Sequence, residues 1–305
     1  MAQVPVKPKW FKIRPPAGND YTHIKRTLRT HGLHTVCEEA RCPNLSECWG
    51  GGTATFMIMG HTCTRGCRFC AVDTGRPAPL DPTEPLKVAR SLAAWGLDYA
   101  VITSVDRDDL PDGGAAHFAQ TIRTVKAHAP QIRLEVLIPD FCGDVDALRS
   151  ILDAQPDVVA HNIETVERLS PGVRDVRARY AQSLGVLETL KRFAPQGYTK
   201  SSVMVGLGET FGEVRQTMVD LRSVGVDALT VGQYLRPSRS KHHLDVVEYL
   251  PLEQFEAYRR VGEELGFAYV ASGPLVRSSY RAGELFTKHL LRRGGPANGD
   301  QKHEA

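Results

Sequence analysis

One stretch of the chain reads Thr53-Ala-Thr-Phe-Met-Ile-Met-Gly60 and continues directly into His61-Thr-Cys63-Thr-Arg-Gly-Cys67-Arg-Phe-Cys70. Residues 53–60 form an apolar run of strand length with little polar alternation, which predicts a strand buried on both faces. Strands of this kind occur in parallel sheets, whose chemistry gathers at the carboxyl ends of the strands. The first of the three cysteines follows the predicted strand end by three residues. We therefore expect a parallel α/β fold with a site at the end of this strand.

Segments of strand length and of helix length alternate along the rest of the chain. Predicted strands span residues 53–60, 98–105, 132–139, 157–164, 198–208 and 228–235, and predicted helices span residues 84–95, 115–128, 143–154, 180–193, 211–224 and 251–265. Strand–helix units in series predict a parallel sheet with right-handed crossovers. Because these six units are too few for a complete eight-fold barrel, we predict an α/β fold of the partial (β/α)6 TIM-like barrel type.

Six of the seven cysteines fall in two triplets, Cys37-x4-Cys42-x5-Cys48 and Cys63-x3-Cys67-x2-Cys70. In a reducing compartment such spacing indicates metal sites rather than disulfides. Three thiolates can hold three irons of a [4Fe-4S] cubane and leave the fourth iron open to a small molecule. The alternative reading is a zinc site with a fourth ligand from elsewhere, although zinc sites usually use CxxC pairs. The clustering leaves Cys142 alone.

Charge and hydropathy exclude several classes of partner. The formal net charge of +3 is too small to indicate nucleic acid binding. No apolar run approaches the ~18 residues that a bilayer span needs, and the first residues lack the apolar core of a secretory signal. We therefore predict a cytoplasmic protein without a membrane or nucleic acid partner. Residues 1–30 hold seven basic residues against the single acid Asp20. Such an arm suits an acidic partner protein, a phosphate or an anionic surface, and the alternative is a solvated arm without a partner.

The second triplet, with Phe69 directly before its last cysteine, resembles the radical S-adenosylmethionine (SAM) superfamily. The resemblance implies that Cys63, Cys67 and Cys70 hold a [4Fe-4S] cluster whose open iron binds the amino and carboxylate groups of SAM. In that superfamily the reduced cluster cleaves SAM to a 5′-deoxyadenosyl radical, which abstracts hydrogen from an unactivated carbon. It also implies an electron donor of the ferredoxin or flavodoxin kind.

The first triplet and the segment Arg277-Ser-Ser-Tyr280 resemble the lipoyl synthase family. This second resemblance implies an auxiliary [4Fe-4S] cluster, held by the three cysteines of the first triplet and by one serine oxygen. By position in the segment we assign that oxygen to Ser279, with Ser278 as the adjacent possibility. An alkoxide ligand is harder than a thiolate and easier to protonate away, which suits a cluster that is dismantled during turnover.

The resemblance to lipoyl synthases also implies a reaction. Two sulfur atoms would be inserted at carbons 6 and 8 of an octanoyl group attached to lysine of a lipoyl carrier protein or domain. The auxiliary cluster would be the sulfur donor, and SAM and the two [4Fe-4S] clusters would be the cofactors. Polar groups at or after strand ends would contact SAM, and we predict Thr103, Asn162 and Glu164 for this role. No catalytic residue beyond the cluster ligands is implied.

We divide the chain into four segments. An amino-terminal extension with the auxiliary cysteines spans 1–52, the radical SAM partial barrel 53–266, a carboxyl-terminal extension with the serine segment 267–291, and a disordered tail 292–305. Two other functions remain open from the sequence. One is another radical SAM sulfur-inserting enzyme, such as a methylthiotransferase, and the other is a non-enzymatic zinc or electron-carrier protein.

Overall fold

The structure, a computed structural model, describes residues 7–8, 11, 19–39, 42, 44–50, 53–95 and 97–279. Its strands are β1 (His34–Thr35), β2 (Thr53–Ile58), β3 (Thr62–Cys63), β4 (Asp73–Thr74), β5 (Tyr99–Ser104), β6 (Arg133–Leu137), β7 (Val158–Ala160), β8 (Tyr198–Val205), β9 (Ala228–Gln233) and β10 (Tyr269–Gly273). Its helices are α1 (Asn19–His31), α2 (Val36–Glu39), α3 (Leu45–Gly50), α4 (Glu84–Trp95), α5 (Ala115–His128), α6 (Val145–Asp153), α7 (Ser170–Val173), α8 (Tyr180–Phe193), α9 (Phe211–Ser223) and α10 (Leu252–Glu264). The predicted disordered tail lies outside the described residues.

Eight of these strands form one sheet in the order β1-β2-β5-β6-β7-β8-β9-β10, and β3 and β4 form a separate parallel pair. The six strands and six helices predicted from the sequence are all present, and the six strands pair in parallel. The predicted α/β partial barrel is therefore confirmed. The largest difference is at β7, which ends four residues earlier than predicted. Glu164, the last residue of the predicted strand, has a φ of 67°, which is not a strand conformation.

The sheet extends beyond the six predicted strands at both ends. β10 pairs in parallel with β9, with Tyr269 opposite Ala228 and Gly273 opposite Gly232. At the other edge, β1 pairs antiparallel with β2, with Thr35 opposite Phe56. Segments from both predicted extensions are thus joined to the barrel by backbone hydrogen bonds. No helix in the described part of the chain is long and apolar enough to cross a membrane.

Local signals in the sequence fix where several helices begin. Before α9, the Thr210 hydroxyl accepts a hydrogen bond from the Glu213 backbone N–H at 3.2 Å, and the Glu213 carboxylate accepts one from the Thr210 N–H at 2.7 Å. Before α6, the Asp144 carboxylate accepts a hydrogen bond from the Asp146 N–H at 2.8 Å. Such caps satisfy N–H groups that have no partner inside the helix.

Alternate side chains along a strand face opposite sides of the sheet. On β5, Ala100 and Ile102 pack in the large core beneath the helices, whereas Tyr99 and Val101 form a separate cluster. On β9, Leu229 likewise packs in the core beneath the helices. We call the side opposite the helices the inner face of the sheet.

The inner face is polar near the amino ends of the strands. Lys200 of β8 and Glu135 of β6 form a buried ion pair, with Nζ 2.7 Å from Oε1. The Tyr99 hydroxyl donates a hydrogen bond to the other Glu135 oxygen at 2.7 Å. Because both charges are paired and hydrogen-bonded, burial of this group is tolerated. The second cysteine triplet, described next, lies at the opposite, carboxyl end of the sheet, in the loop after β2.

Candidate metal and cofactor site

The second cysteine triplet lies in the loop that follows β2. Cys63 is the last residue of β3, and its carbonyl accepts a hydrogen bond from the Gly75 N–H at 2.9 Å, just after β4. The Cys70 N–H donates to the Cys67 carbonyl at 3.1 Å, which curls the loop back on itself. The pairing of β3 with β4 therefore closes the base of a loop that holds all three cysteines.

The cysteines of this triplet are partly buried, and their sulfur atoms accept hydrogen bonds from the backbone. The Arg65 N–H donates to Cys63 Sγ at 3.4 Å, and the Asp175 N–H donates to Cys67 Sγ at 3.3 Å. Burial raises the pKa of all three thiols to about 12, and nearby thiols add to the increase. Backbone donors aimed at sulfur suit thiolate ligands, whose charge they stabilise once metal displaces the proton.

The donor set of this loop consists of the three thiols of Cys63, Cys67 and Cys70. Three thiolates on one short loop can hold three irons of a [4Fe-4S] cubane and leave the fourth iron open to a small molecule. The donor set therefore fits such a cluster.

Arg65, within the loop, is buried among carboxylates. Its guanidinium lies 2.7 Å from both Asp108 and Asp140 and 3.3 Å from Asp106. Burial alone would raise the pKa of Asp108, but hydrogen bonds from Arg65 and Thr64 lower it to about 2. Burial raises the pKa of Asp106 to about 6 despite Arg65. These ion pairs tie the cysteine loop to the loops that follow β5 and β6.

Cys142, which the sequence leaves alone, lies beside this group. Its Sγ is 3.5 Å from Arg65 Nη2 and 3.5 Å from Asp108 Oδ1. It is exposed and lies far in sequence from both triplets. Its contacts are with the Arg65 ion pairs, and it makes no recorded contact with a cysteine among the described residues.

The first triplet is built from two short helices. Cys37 lies in α2 and Cys48 in α3, and the Cys42 N–H between them donates to the Cys37 carbonyl at 3.1 Å. Burial and the neighbouring Cys42 and Cys48 raise the pKa of Cys37 to about 12, and hydrogen bonds from the Thr55 backbone and the Trp49 side chain oppose this increase. The three cysteines are therefore close enough to interact electrostatically.

The carboxyl-terminal segment reaches the first triplet after β10. Asn44, between Cys42 and Cys48, donates its side-chain N–H to the Leu275 carbonyl at 2.5 Å. Burial raises the pKa of Cys42, and the charge of the nearby Arg277 guanidinium only partly opposes this increase. Ser278 and Ser279 follow Arg277 in a turn and are partly buried. The structure thus brings the segment that contains the serines close to the first triplet, and the choice of Ser279 as the ligand stays a prediction.

The predicted SAM contacts lie on loops and strand ends at this same end of the sheet. Asn162 donates to Glu164 at 3.0 Å, and the Glu164 carboxylate is close enough to Cys70 to raise the pKa of that thiol. Burial raises the pKa of Glu164 itself. Thr103, near the end of β5, donates its hydroxyl to the Leu137 carbonyl at 2.8 Å and faces the inner side. Asn162 and Glu164 are therefore beside the second triplet. The hydrogen bond of Thr103 is instead to a neighbouring strand of the sheet.

Arg174 is a residue of this site that the sequence reasoning missed. It is buried, and its positive charge partly offsets the increase that burial causes in the pKa values of Glu164 and Cys67. Its Nη1 donates to the Ser183 hydroxyl at 2.9 Å, while its Nε has no hydrogen-bond partner among the described residues. The signal available in the sequence was weak, because Arg174 follows the four-residue helix α7 in a loop with no recognisable spacing.

Two family models match the chain. The model described as the radical SAM superfamily matches residues 57–221. The model described as the N-terminal domain of lipoyl synthase matches residues 3–42, which includes two cysteines of the first triplet. The match to the superfamily covers more than half of the chain.

Curated relatives match over nearly the whole chain. A lipoyl synthase of Halobacterium salinarum is 59% identical over 94% of this chain and 93% of its own length. One from Myxococcus xanthus is 58% identical over 96% and 98%. A mitochondrial lipoyl synthase of Drosophila pseudoobscura pseudoobscura is 57% identical over 93% and 77%. These matches favour lipoyl synthase over the methylthiotransferase and the non-enzymatic alternatives.

Solved structures share the fold at low sequence identity. The FeFe-hydrogenase maturase HydG from Carboxydothermus hydrogenoformans superposes with a TM-score of 0.57 at 12% identity, covering 78% of this chain and 56% of that one. Streptococcus suis SuiB bound to S-adenosylmethionine gives 0.54 at 9% identity, covering 84% and 57%. The family models and the curated relatives place the chain in the lipoyl synthase family of the radical SAM superfamily. The members of this family are sulfur-inserting enzymes that use SAM and two [4Fe-4S] clusters.

Proposed function

We propose that this chain inserts two sulfur atoms, at carbons 6 and 8 of an octanoyl group attached to a lysine of a lipoyl carrier protein or domain. The observation that carries the proposal is the presence of two separate three-cysteine centres on one parallel sheet. One lies in the loop after β2, and the other is reached by the segment after β10. A single centre would suffice for radical formation alone.

The ligand assignment follows the two centres. We assign Cys63, Cys67 and Cys70 to the cluster that binds SAM, and the three cysteines of the first triplet with Ser279 to the auxiliary cluster. Ser278 remains the adjacent candidate. When bound, the cluster on the second triplet would supply the electron that cleaves SAM, and the auxiliary cluster on the first triplet would supply the sulfur. The hydrogen-bonded thiols and the partly buried serine segment support this assignment.

The protein side chains position these groups. Arg65 fixes the cysteine loop against the carboxylates of two other loops. We propose that Asn162 and Glu164 hold the polar portions of SAM next to Cys70, and that Thr103 contributes from the inner face. The buried, partly unpaired guanidinium of Arg174 supports an anionic ligand nearby, such as the carboxylate of SAM.

The remaining partners are inferred from chemistry and from the relatives. An octanoylated carrier is the substrate kind of the family. We propose a ferredoxin- or flavodoxin-like electron donor, because reductive cleavage of SAM consumes an electron. A cytoplasmic location is supported by the archaeal and bacterial relatives, although the insect relatives are mitochondrial. The segment boundaries at 52, 266 and 291 stay predictions.

The reaction is tested with a defined substrate. The reduced, anaerobically reconstituted protein is incubated with SAM and an octanoyl-lysine peptide, and the peptide is analysed by mass spectrometry. The proposal predicts a peptide that has gained two sulfur atoms, together with 5′-deoxyadenosine. A peptide that gains a methylthio group, or that is unchanged while 5′-deoxyadenosine accumulates, would contradict it.

A further inference from the structure

The chain crosses the inner face of the sheet after β10, and Gly232 makes the crossing possible. Gly232 of β9 lies opposite Gly273 in the register and shares the inner face with Thr230, because Leu229 and Val231 pack beneath the helices. A Cβ on Gly232 would lie 2.1 Å from the Val276 carbonyl oxygen and 3.3 Å from Arg277 Nη1.

The need for glycine at this position is one of space. The φ of Gly232 lies outside the positive range that favours glycine, so its backbone conformation is open to other residues. The atom that a Cβ would meet first belongs to the backbone of Val276, which is buried and cannot swing aside as the end of a long side chain can. Any side chain at Gly232 therefore displaces the segment that leads to the serines.

A second contact holds the same segment one residue earlier in the chain. The Asn44 side chain is buried and donates to the Leu275 carbonyl at 2.5 Å. The backbone of Asn44 is bound to the first triplet, since its carbonyl accepts from the Cys48 N–H at 2.9 Å and its N–H lowers the pKa of Cys42 by hydrogen bonding. Asn44 thus joins the cysteines directly to the segment.

These two contacts determine what meets the first triplet. The segment makes them through two consecutive residues, Leu275 and Val276, and the next residue, Arg277, acts electrostatically on Cys42. The Arg277 guanidinium is held by the Val276 carbonyl at 2.6 Å. The two serines follow immediately in sequence. A shift of the segment at Gly232 would carry Arg277 and both serines away from the cysteines.

We infer that Gly232 and Asn44 are positioning residues of the auxiliary centre, forming a two-point latch that holds residues 273–279 against the first cysteine triplet. The latch is a property of the protein itself. Only its role in cluster assembly rests on the proposed function. Neither residue is a metal ligand in that proposal.

The test uses two variants and a matched control. Gly232→Ala adds the Cβ that collides with Val276, and Asn44→Asp keeps the size of the side chain but removes the N–H donor. Gly185→Ala is the control, because a Cβ at Gly185 in α8 meets no atom within 4 Å. Asn44→Asp keeps the test informative if Gly232→Ala does not fold.

The first measurement needs no metal. The metal-free proteins are treated with iodoacetamide under native conditions, and alkylation of each cysteine is followed by mass spectrometry. The latch predicts that Cys42 reacts several-fold faster in both variants, while Cys63, Cys67 and Cys70 react as in the wild type and in Gly185→Ala. An unchanged rate at Cys42, or an equal increase at all six triplet cysteines, would overturn the inference.

The second measurement counts iron after anaerobic reconstitution. Two cubanes correspond to about eight irons per chain, and we expect the latch variants to retain about four. If the wild type itself binds only four, the proposed function fails, and the alkylation result still decides on the latch. If both variants retain the wild-type iron content, the latch does not serve the auxiliary centre and the inference is overturned.

Discussion

At the scale of single residues, Arg65 has the environment that its position in the sequence least suggests. It stands between two cysteines in a loop, where a basic side chain would ordinarily reach solvent. The structure instead buries it against Asp108 and Asp140. Those carboxylates follow β5 and β6, more than 40 residues along the chain, so their meeting depends on the order of strands in the sheet. No local pattern in the sequence predicts that order of strands.

Replacement of Arg65 should be costly even without metal. We predict that Arg65→Met lowers the free energy of unfolding of the metal-free protein by about 3–5 kcal/mol, because it leaves buried carboxylates without their counter-charge. Arg177, which pairs with Asp108 and Asp175 but is 43% exposed, is the control, and Arg177→Met should cost no more than about 1 kcal/mol. Urea unfolding of both variants makes the comparison. Equal losses would show that the burial of Arg65 has no energetic consequence.

His161 should make stability depend on pH. Its ring is buried, donates from Nδ1 to the Ile138 carbonyl and accepts at Nε2 from the Ser183 hydroxyl. Burial and the nearby Arg174 lower its pKa from the ordinary value of 6.5 to about 4. Because the folded state binds this proton less readily than the unfolded state, the stabilisation is complete above pH 6.5 and is lost as the pH falls toward 4.

The size of this effect follows from the two pKa values. Between pH 7 and pH 4.5, the wild type should lose about 2 kcal/mol more of its free energy of unfolding than His161→Asn, which has no titrating ring. Urea unfolding of both proteins at the two pH values gives the difference directly. The same loss in both proteins would mean that His161 titrates normally in the folded state.

At the scale of elements, the sequence predicted most of the sheet. Helices α4, α5 and α8 have the predicted bounds, because their amphipathic patterns end at clear breaks. The additional strands β1 and β10 were not predicted as strands. β1 has only two residues, too few for a period of two to be visible, and β10 lies in the segment that we assigned to the carboxyl-terminal extension. Pairing with a neighbour, rather than local preference, determines both.

The side chains that meet on the inner face of the sheet could also not be predicted from the sequence. Glu135 and Lys200 are 65 residues apart, and β7 lies between their strands in the sheet. The pattern of the cysteines was easier to interpret, because each triplet lies within a dozen residues. Local spacing therefore grouped the cysteines into two triplets, and their role as metal ligands stays a prediction, whereas Arg174 and the latch required the fold.

The buried ion pair between β6 and β8 should contribute to the free energy of unfolding. Lys200→Met alone should lower the free energy of unfolding by about 3–5 kcal/mol, because it leaves Glu135 charged and buried. The double variant Lys200→Met/Glu135→Met should be more stable than Lys200→Met, since no unpaired charge remains. A double-mutant cycle from urea unfolding measures this coupling. Additive losses would mean that the two side chains do not interact across β7.

At the scale of the whole molecule, the fold gives the two triplets different surroundings. The second lies in a loop closed by β3 and β4 and faces Glu164 and Asn162. The first lies between two short helices and is covered by the segment that follows β10. The second triplet thus lies beside polar side chains of the barrel, and the first is contacted by the protein's own carboxyl-terminal segment.

The central claim is that the second triplet serves radical formation and the first serves sulfur transfer. It is tested most directly by measuring 5′-deoxyadenosine and sulfur-containing peptide together, in Cys37→Ala and Cys63→Ala, with SAM, reductant and an octanoyl-lysine peptide. We predict that Cys63→Ala forms neither product, whereas Cys37→Ala forms 5′-deoxyadenosine but inserts no sulfur. Sulfur insertion by Cys37→Ala, or cleavage of SAM by Cys63→Ala at the wild-type rate, would contradict the claim.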